Sequence, residues 1–355
     1  MNLKQPELIP SLLRKDAYNH KTVKEVEVEE THISWIILTG LYAYKIKKEL
    51  KFGKVLDFST LQLRKTFCQK EVMLNKILCH DMYKGVVKIV HSHNSDHYNY
   101  NDVKLQIVDL RHKGKALEYA VKMIQIPQRF RMDNLVTANK VSLKTIGRIA
   151  HALAKFHSST PTNITIKCFG QPKFMKKKVL ENFETLRKLY DDDSNNCDYV
   201  VITKLEKKLI SFIESNKSLF NQRILENKVR DIHGDLYMKN IFIVQKDKFY
   251  LYDRIEFNDS LRYADVAEDV AHISMDLDYQ KRSHLKRHFL SSYMDETNDF
   301  QLNLLLSFLM CYKACVRAKV SIFRATNERN RKKKITCMRE SRDLIRLARS
   351  YLEFL

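Results

Sequence analysis

The hydrophobic periodicity of the chain changes at Pro127, and no single-class fold tolerates that change. Upstream, short runs rich in branched and aromatic residues dominate. Residues 21–48, "KTVKEVEVEETHISWIILTGLYAYKIKK", read as strands, with Thr39–Gly40 as a turn between "ISWIIL" and "YAYKIK". "GVVKIVHSH", "VKLQIVDL" and "ALEYAVKMI" read the same way. One helix interrupts them at 60–79, where Leu61, Phe67, Val72, Leu74, Ile77 and Leu78 fall on a stripe of roughly 3.6-residue period. Downstream, helical periodicity covers 142–158, 173–191, 199–220, 263–278, 283–293, 298–320 and 336–354, broken by one strand pair within 241–252. Strands followed by helices predict an α+β chain in two lobes, 1–126 and 127–355, joined near 124–130. No internal repeat is visible.

Composition excludes several classes. A chain of 355 residues with 44% hydrophobic and 30% charged residues can bury a sizeable core, and 7 Gly and 5 Pro do not make a collagen-like or low-complexity protein. No apolar run reaches the ~18 residues of a membrane-spanning helix, and "MNLKQPELIPSLLRKDAY" lacks the apolar core of a secretory leader. The seven cysteines are scattered without a CxxC pair, which predicts reduced thiols in a cytoplasmic protein. Net charge is 63 − 42 = +21, and Lys313–Ser350 alone holds 13 Lys and Arg against 3 acids, including "RNRKKK". A solvated helix face is the favoured reading of that segment over a nucleic-acid or anionic-surface contact.

The stretch "DIHGDLYMKNIFIVQKDKFYLYDRIEFN", Asp231–Asn258, carries chemistry. "IFIV" and "FYLY" are short strands joined by "QKDK", a hairpin-length link. Asn240 stands just before the first and Asp253 just after the second, so a hairpin would make them neighbours. An amide oxygen beside a carboxylate suits Mg²⁺, which takes one or two carboxylates plus waters and substrate phosphates. Asp235, five residues before Asn240, would orient a hydroxyl and accept its proton. A catalytic-loop Asp, a metal Asn and a metal Asp occur in this order in phosphoryl-transfer enzymes of the protein-kinase type.

"HGDLYMKN" followed by "LYD" resembles the aminoglycoside phosphotransferase and choline-kinase branch of the protein-kinase-like fold. "ETHISWIILTGLYAYKIKK", "LDFSTLQLRKTFCQKEVMLN", "EYAVKMIQIPQ" and "DRIEFNDSLRYADVAEDVAHISMDLD" are similar to bacterial phosphotransferase-like proteins, some with a fused P-loop ATPase domain. No GxxxxGK[ST] occurs, so that domain is not expected in this chain. The resemblance spans roughly residues 25–290. It implies a two-lobed fold, β-rich N-lobe and helical C-lobe, using Mg²⁺ and ATP or GTP. It implies that Ala43 meets the base and Lys45 the α/β-phosphates, with Lys47 on the same strand face as the fallback and Glu71 as the ion-pair partner. Backbone groups at Lys122–Ile126, including Met123 and Gln125, would bind adenine. His233, Asp265 and Asp269 would support the loop, the two acids lying four apart on one helix face. Metal binding by those acids is the less favoured alternative.

The chain also departs from the pattern. There is no G-x-G-x-x-G, so the turn at 29–34 would cover the phosphates through Thr31, His32 or Ser34. "YDRIEF" stands where D-F-G would, and no A-P-E is present, which argues for a small-molecule hydroxyl acceptor over a protein. His157, at a helix end, reads as a packed or capping residue. "HSHNSDH" (91–97) reads as a polar loop, not a metal site. The competing functional readings are a catalytically idle kinase-like module binding a nucleotide or partner, and a nucleic-acid-associated protein using the basic C-terminal segment.

Overall fold

The computed structural model describes residues 5–23, 25–53, 55–92, 104–190, 197–245 and 248–355. Positions 93–97 of the histidine cluster and the "DDDSNN" loop lie outside the described residues. The chain divides into two compact units: 1–130 with 242–244 and 250–259, and 131–241 with 245–249 and 260–355.

The first unit begins with helix α1 (Gln5–Leu12), not anticipated from sequence, followed by β1 (Glu27–Glu30), β2 (Ser34–Leu38), β3 (Tyr42–Lys47) and the short pair β4 (Lys51–Phe52) and β5 (Leu56–Asp57). Then come α2 (Leu61–Cys79), β6 (Tyr83–His91), β7 (Leu105–Asp109) and β8 (Glu118–Ile124). Six strands form one antiparallel sheet in the order β1-β2-β3-β8-β6-β7. Gly40 takes φ +89 in the turn before β3, a conformation that residues with a Cβ resist. Side chains alternate across β3. Tyr44 and Ile46 join Leu8, Leu12, Tyr18 and Ile37 on one face. Ala43 joins Cys68 and Cys79 of α2, Tyr83, Val121 and Met123 on the other. Lys45 and Lys47, two and four residues after Ala43, are therefore carried to the α2 side. The Thr60 hydroxyl caps α2 by accepting from Leu63 N at 3.2 Å, worth about 1 kcal/mol.

The second unit holds α3 (Met132–Thr137), α4 (Leu143–Ser159), α5 (Ile164–Cys168), α6 (Pro172–Leu189), α7 (Cys197–Ser215), α8 (Lys217–Leu225) and β9 (Val229–Asp231). The strands β10 (Ile241–Gln245) and β11 (Lys248–Leu251) pair as a two-stranded sheet whose residues are shared between the units. After them come α9 (Asp259–Arg262), β12 (Tyr263–Asp265), α10 (Ala267–Tyr279), α11 (Ser283–Thr297), α12 (Leu302–Asn327) and α13 (Arg331–Ser350). Helix α10 is buried from Ala267 to Leu277, packed by α11 and α12. A helix apolar or buried all round is a core helix.

One expectation fails here. Residues 263–278 are not one helix. Tyr263–Asp265 pair antiparallel with Val229–Asp231, Tyr263 opposite Asp231 and Asp265 opposite Val229. Asp265 thus ends a strand while Asp269 lies in α10, and the two acids do not share a helix face. The side-chain pattern was helical, but the strand pairing satisfies the backbone of β9.

The basic run Arg331–Lys334 opens α13 with exposed side chains, while Ser341, Leu344, Ile345 and Ala348 form its buried face. Cys68, Cys79, Cys168, Cys311, Cys315 and Cys337 are free thiols. No helix among the described residues is long and apolar enough to cross a membrane.

Candidate active site

Candidate functional residues gather in two groups, one in each unit. In the first unit, Lys45 Nζ lies 3.0 Å from Glu71 Oε1 and 2.5 Å from Asp253 Oδ1. Glu71 uses its second oxygen on Lys47, at 2.6 Å, and Lys47 also pairs with Glu256. Strand β3, helix α2 and the segment after β11 each supply charges that could not be buried alone. Burial alone would push Lys45 down; Asp253, Glu71 and Glu256 together hold it well above its ordinary value. Lys47 is likewise raised against its burial by Glu256 and Glu71. Burial pushes Glu256 up, opposed by Lys47.

Asp253 has φ +66 and its side chain is 38% exposed, against 10% for Lys45 and none for Lys47. A positive φ outside glycine marks a position held by its surroundings. The Tyr83 hydroxyl accepts from Asp253 N at 3.3 Å. The next residue is tied as well: Arg254 N donates to Asn75 Oδ1 at 2.8 Å, and Asn75 Nδ2 donates to Glu71 O at 2.9 Å. The carboxylate of Asp253 is thus aimed and accessible.

Of the remaining first-unit candidates, Thr31, Met123 and Gln125 have structural partners. Thr31 closes the β1–β2 turn through Ser34, its hydroxyl donating to Ser34 O and accepting from Ser34 N, both at 3.0 Å. Ser34 is wholly buried, and its Oγ has no hydrogen-bond partner. Met123 pairs opposite Ala43 in the sheet. Gln125 Oε1 accepts from Gly40 N at 2.7 Å, and its N–H donates to Leu41 O at 3.0 Å. Ile124 N donates to Met82 O. Two backbone donors of the expected adenine-binding stretch are therefore engaged within the sheet.

In the second unit the loop 233–240 rests on one stripe of α10. Asp269 accepts from His233 N at 2.8 Å and from Gly234 N at 3.0 Å, and its Oδ2 lies 3.1 Å from His157 Nε2. His157 is buried, with its other nitrogen 2.8 Å from the Tyr293 hydroxyl. Burial opposes the charge on Asp269, but His157 and the loop N–H groups hold its carboxyl down at about 2. One turn and two turns on, His272 stacks on Tyr237 with ring centroids 5.3 Å apart, and Asp276 accepts from Met238 N at 2.9 Å. Asp276 also pairs with Arg317 of α12 at 2.5 Å. Gly234 takes φ +88, which lets two successive N–H groups point at one carboxylate. Asn240 Nδ2 donates to Asp235 O at 2.9 Å and lies 3.4 Å from Asp235 Oδ2. The Asp235 side chain is 45% exposed.

Asp265 is elsewhere. It forms a two-pronged pair with Arg223, at 2.5 and 2.7 Å, and Arg223 continues to Asp299 at 2.8 Å. Asp265 Oδ1 accepts from Ala267 N at 2.8 Å, starting α10. Its contacts are those of a brace, not of a ligand set.

Among the described residues no group of three or more His, Cys, Asp or Glu is arranged to hold a metal ion. The donor set nevertheless fits Mg²⁺. Two ammonium groups face three carboxylates in the first unit, and Mg²⁺ seeks few protein oxygens, leaving the rest to water and phosphate.

Sequence reasoning left Glu256, His272, Asp276 and Arg317 without roles. For α10 a signal was present: Asp269, His272 and Asp276 recur at i, i+3 and i+7, which puts three polar groups on one stripe of the helix.

The β-rich unit followed by the helical one is an α+β, protein-kinase-like architecture, with a lysine on β3 paired to a glutamate on the helix that follows. No family model matches the chain. Uncharacterized proteins of Mycobacterium tuberculosis and Mycobacterium bovis are 31% identical over 303 residues, covering 84% of this chain and 55% of theirs. The chain thus spans about half the length of the curated relatives it matches. Among solved structures, an ethanolamine kinase of Plasmodium vivax aligns with TM-score 0.49 and 14% identity over 92% of this chain and 84% of its own. A spectinomycin phosphotransferase bound to ADP and spectinomycin aligns with TM-score 0.47 and 12% identity over the whole of both chains.

Proposed function

We propose that the chain is a Mg²⁺- and nucleotide-dependent phosphotransferase that moves the γ-phosphoryl group of ATP or GTP to a hydroxyl of a small molecule. The observation that supports this most is Lys45, held by Glu71 and Asp253 at 3.0 and 2.5 Å. A buried, permanently charged lysine on a strand beside an accessible carboxylate serves an anion and its counter-cation together. In this reading Lys45 binds the α/β-phosphates, and Asp253 and the Asn240 amide oxygen hold Mg²⁺. The metal, when bound, neutralises charge on the phosphate oxygens. Asp235 orients the acceptor hydroxyl and takes its proton, fixed in place by Asn240 and by the loop that Asp269 anchors. Little covalent chemistry is asked of the protein; the rate comes from positioning and electrostatics.

The test is a metabolite panel with Mg-ATP, read by mass spectrometry for phosphorylated product. Asp235→Ala is expected to abolish transfer while Mg-ATP still shifts the melting temperature. Asp253→Ala is expected to lose the Mg-dependent part of that shift. Full turnover by Asp235→Ala overturns the assignment. A thermal shift with no product from any acceptor would point instead to an idle nucleotide-binding module.

A further inference from the structure

His272 is 2% exposed, and neither ring nitrogen has a hydrogen-bond partner. Buried polar atoms are almost always paired, so an orphaned imidazole in a core helix calls for a reason. Its surroundings supply one. The ring stacks on Tyr237 at an interplanar angle of 13°. Its Nδ1 lies 3.9 Å from Asp235 Oδ1, while Asn240 Nδ2 lies 3.4 Å from Asp235 Oδ2. The two oxygens of the carboxylate therefore face two different side chains, an amide from the loop itself and an imidazole from α10.

We infer that His272 is a positioning residue for the phosphotransfer reaction: its Nδ1–H closes onto Asp235 Oδ1 and, opposite Asn240, fixes the plane of the carboxylate. The inference rests on the reading of Asp235 as the base. A separation of 3.9 Å is too long for a hydrogen bond, but contacts of this kind are commonly long before substrate is present and tighten in the reacting complex. Stacking on Tyr237 leaves the ring its in-plane approach to Asp235 and forbids tilting. Arg317, 4.8 Å over the other partner in that stack, Tyr237, and tied to Asp276, keeps Tyr237 from moving away.

The ring acts as a neutral donor. Burial disfavours the imidazolium most, and Lys313 and Arg317 of α12 add to that, with His233 from the loop; Asp269 on its own helix and the Asp235 carboxylate, 3.9 Å from Nδ1, oppose without reversing the direction. Lys313 is itself committed to Glu268 at 2.9 Å. A neutral imidazole carries one N–H, and the carboxylate of Asp235 is the acceptor in front of Nδ1. His272 therefore takes no proton from Asp235, which keeps the one it accepts from the acceptor hydroxyl until product leaves.

The tautomer is directly observable and does not depend on turnover. In long-range ¹H–¹⁵N spectra of ¹⁵N-histidine-labelled protein, with His272→Gln to assign the signal, His272 is expected as the Nδ1–H form. Asp235→Ala should move it toward the Nε2–H form usual for a free neutral imidazole. An Nε2–H form in the unaltered protein, or no response to Asp235→Ala, overturns the inference. With Mg-ATP turnover as the kinetic probe, His272→Phe should lower kcat at least tenfold at unchanged KM for Mg-ATP, and His272→Gln, which keeps an N–H donor, should recover most of it. An unchanged kcat in His272→Phe also overturns it. Wild-type turnover by Asp235→Ala would instead defeat the phosphotransfer reading, a result separate from the tautomer.

Discussion

The two groups of candidate residues bury charge in opposite ways. Around Lys45 every carboxylate is answered by a side-chain ammonium: Glu71 by Lys45 and Lys47, Asp253 by Lys45, Glu256 by Lys47. Around Asp269 the carboxylate is answered mainly by backbone, the N–H groups of His233 and Gly234, with one imidazole. Side chains can rearrange when a ligand brings its own charges; under the proposed function Lys45 leaves Asp253 for a phosphate while Glu71 still holds it. Backbone N–H groups cannot leave without unmaking the loop. The first group is held by side chains, the second by main chain.

That contrast can be broken most decisively at Lys47 and Glu256. Lys47→Met leaves Glu256 buried without its cation and is expected to cost ~3–5 kcal/mol in urea denaturation. Lys47→Met with Glu256→Leu should recover most of that loss, because a buried pair replaced by apolar groups is often neutral or better. A double variant no more stable than the sum of the single losses would show that these charges are not mutually compensating.

Asp269→Asn is expected to cost about 2–3 kcal/mol, since a neutral amide oxygen is a weaker acceptor and two buried N–H groups compete for it. No second side-chain substitution at His157 should restore it, because the partners left wanting are main chain. Restoration by a change at His157 would mean that the imidazole, not the backbone, is the principal partner.

The smallest effect is a pH dependence. Asp269 is held at about 2 against an ordinary 3.8. The depressed value lies in the folded state, so its contribution is complete above about pH 4 and is lost as pH falls toward about 2. The lost contribution is about 2 kcal/mol. The stability difference between the unaltered protein and Asp269→Asn should therefore narrow over that window, as chemical denaturation at each pH would show. A constant difference would mean that the carboxylate is not stabilised by its partners.

Much of the architecture could be read from local pattern. Strand alternation in "YAYKIK" put Ala43, Lys45 and Lys47 on one face, and the stripe at 60–79 located the helix carrying Glu71. What alternation could not do was rank the two lysines. Both reach Glu71; only the position of Glu256, more than two hundred residues along, buries Lys47 completely and leaves Lys45 beside the accessible Asp253. Helical periodicity also misassigned Tyr263–Asp265, because their partner strand, Val229–Asp231, lies in a distant part of the chain.

The sequence by itself determined most of the order of strands and helices, though not α1, β9 or β12, and the spacing of Asp235, Asn240 and Asp253, because backbone periodicity and loop length are local properties. Tertiary structure alone decided that Lys47 pairs with Glu256, that Asp269, His272 and Asp276 of α10 address one loop, and that Asp265 belongs to Arg223. Each of those pairings joins residues far apart in the chain. Which partner a buried charge finds depends on how long loops close and which groups lose their water together, and no local spacing encodes that.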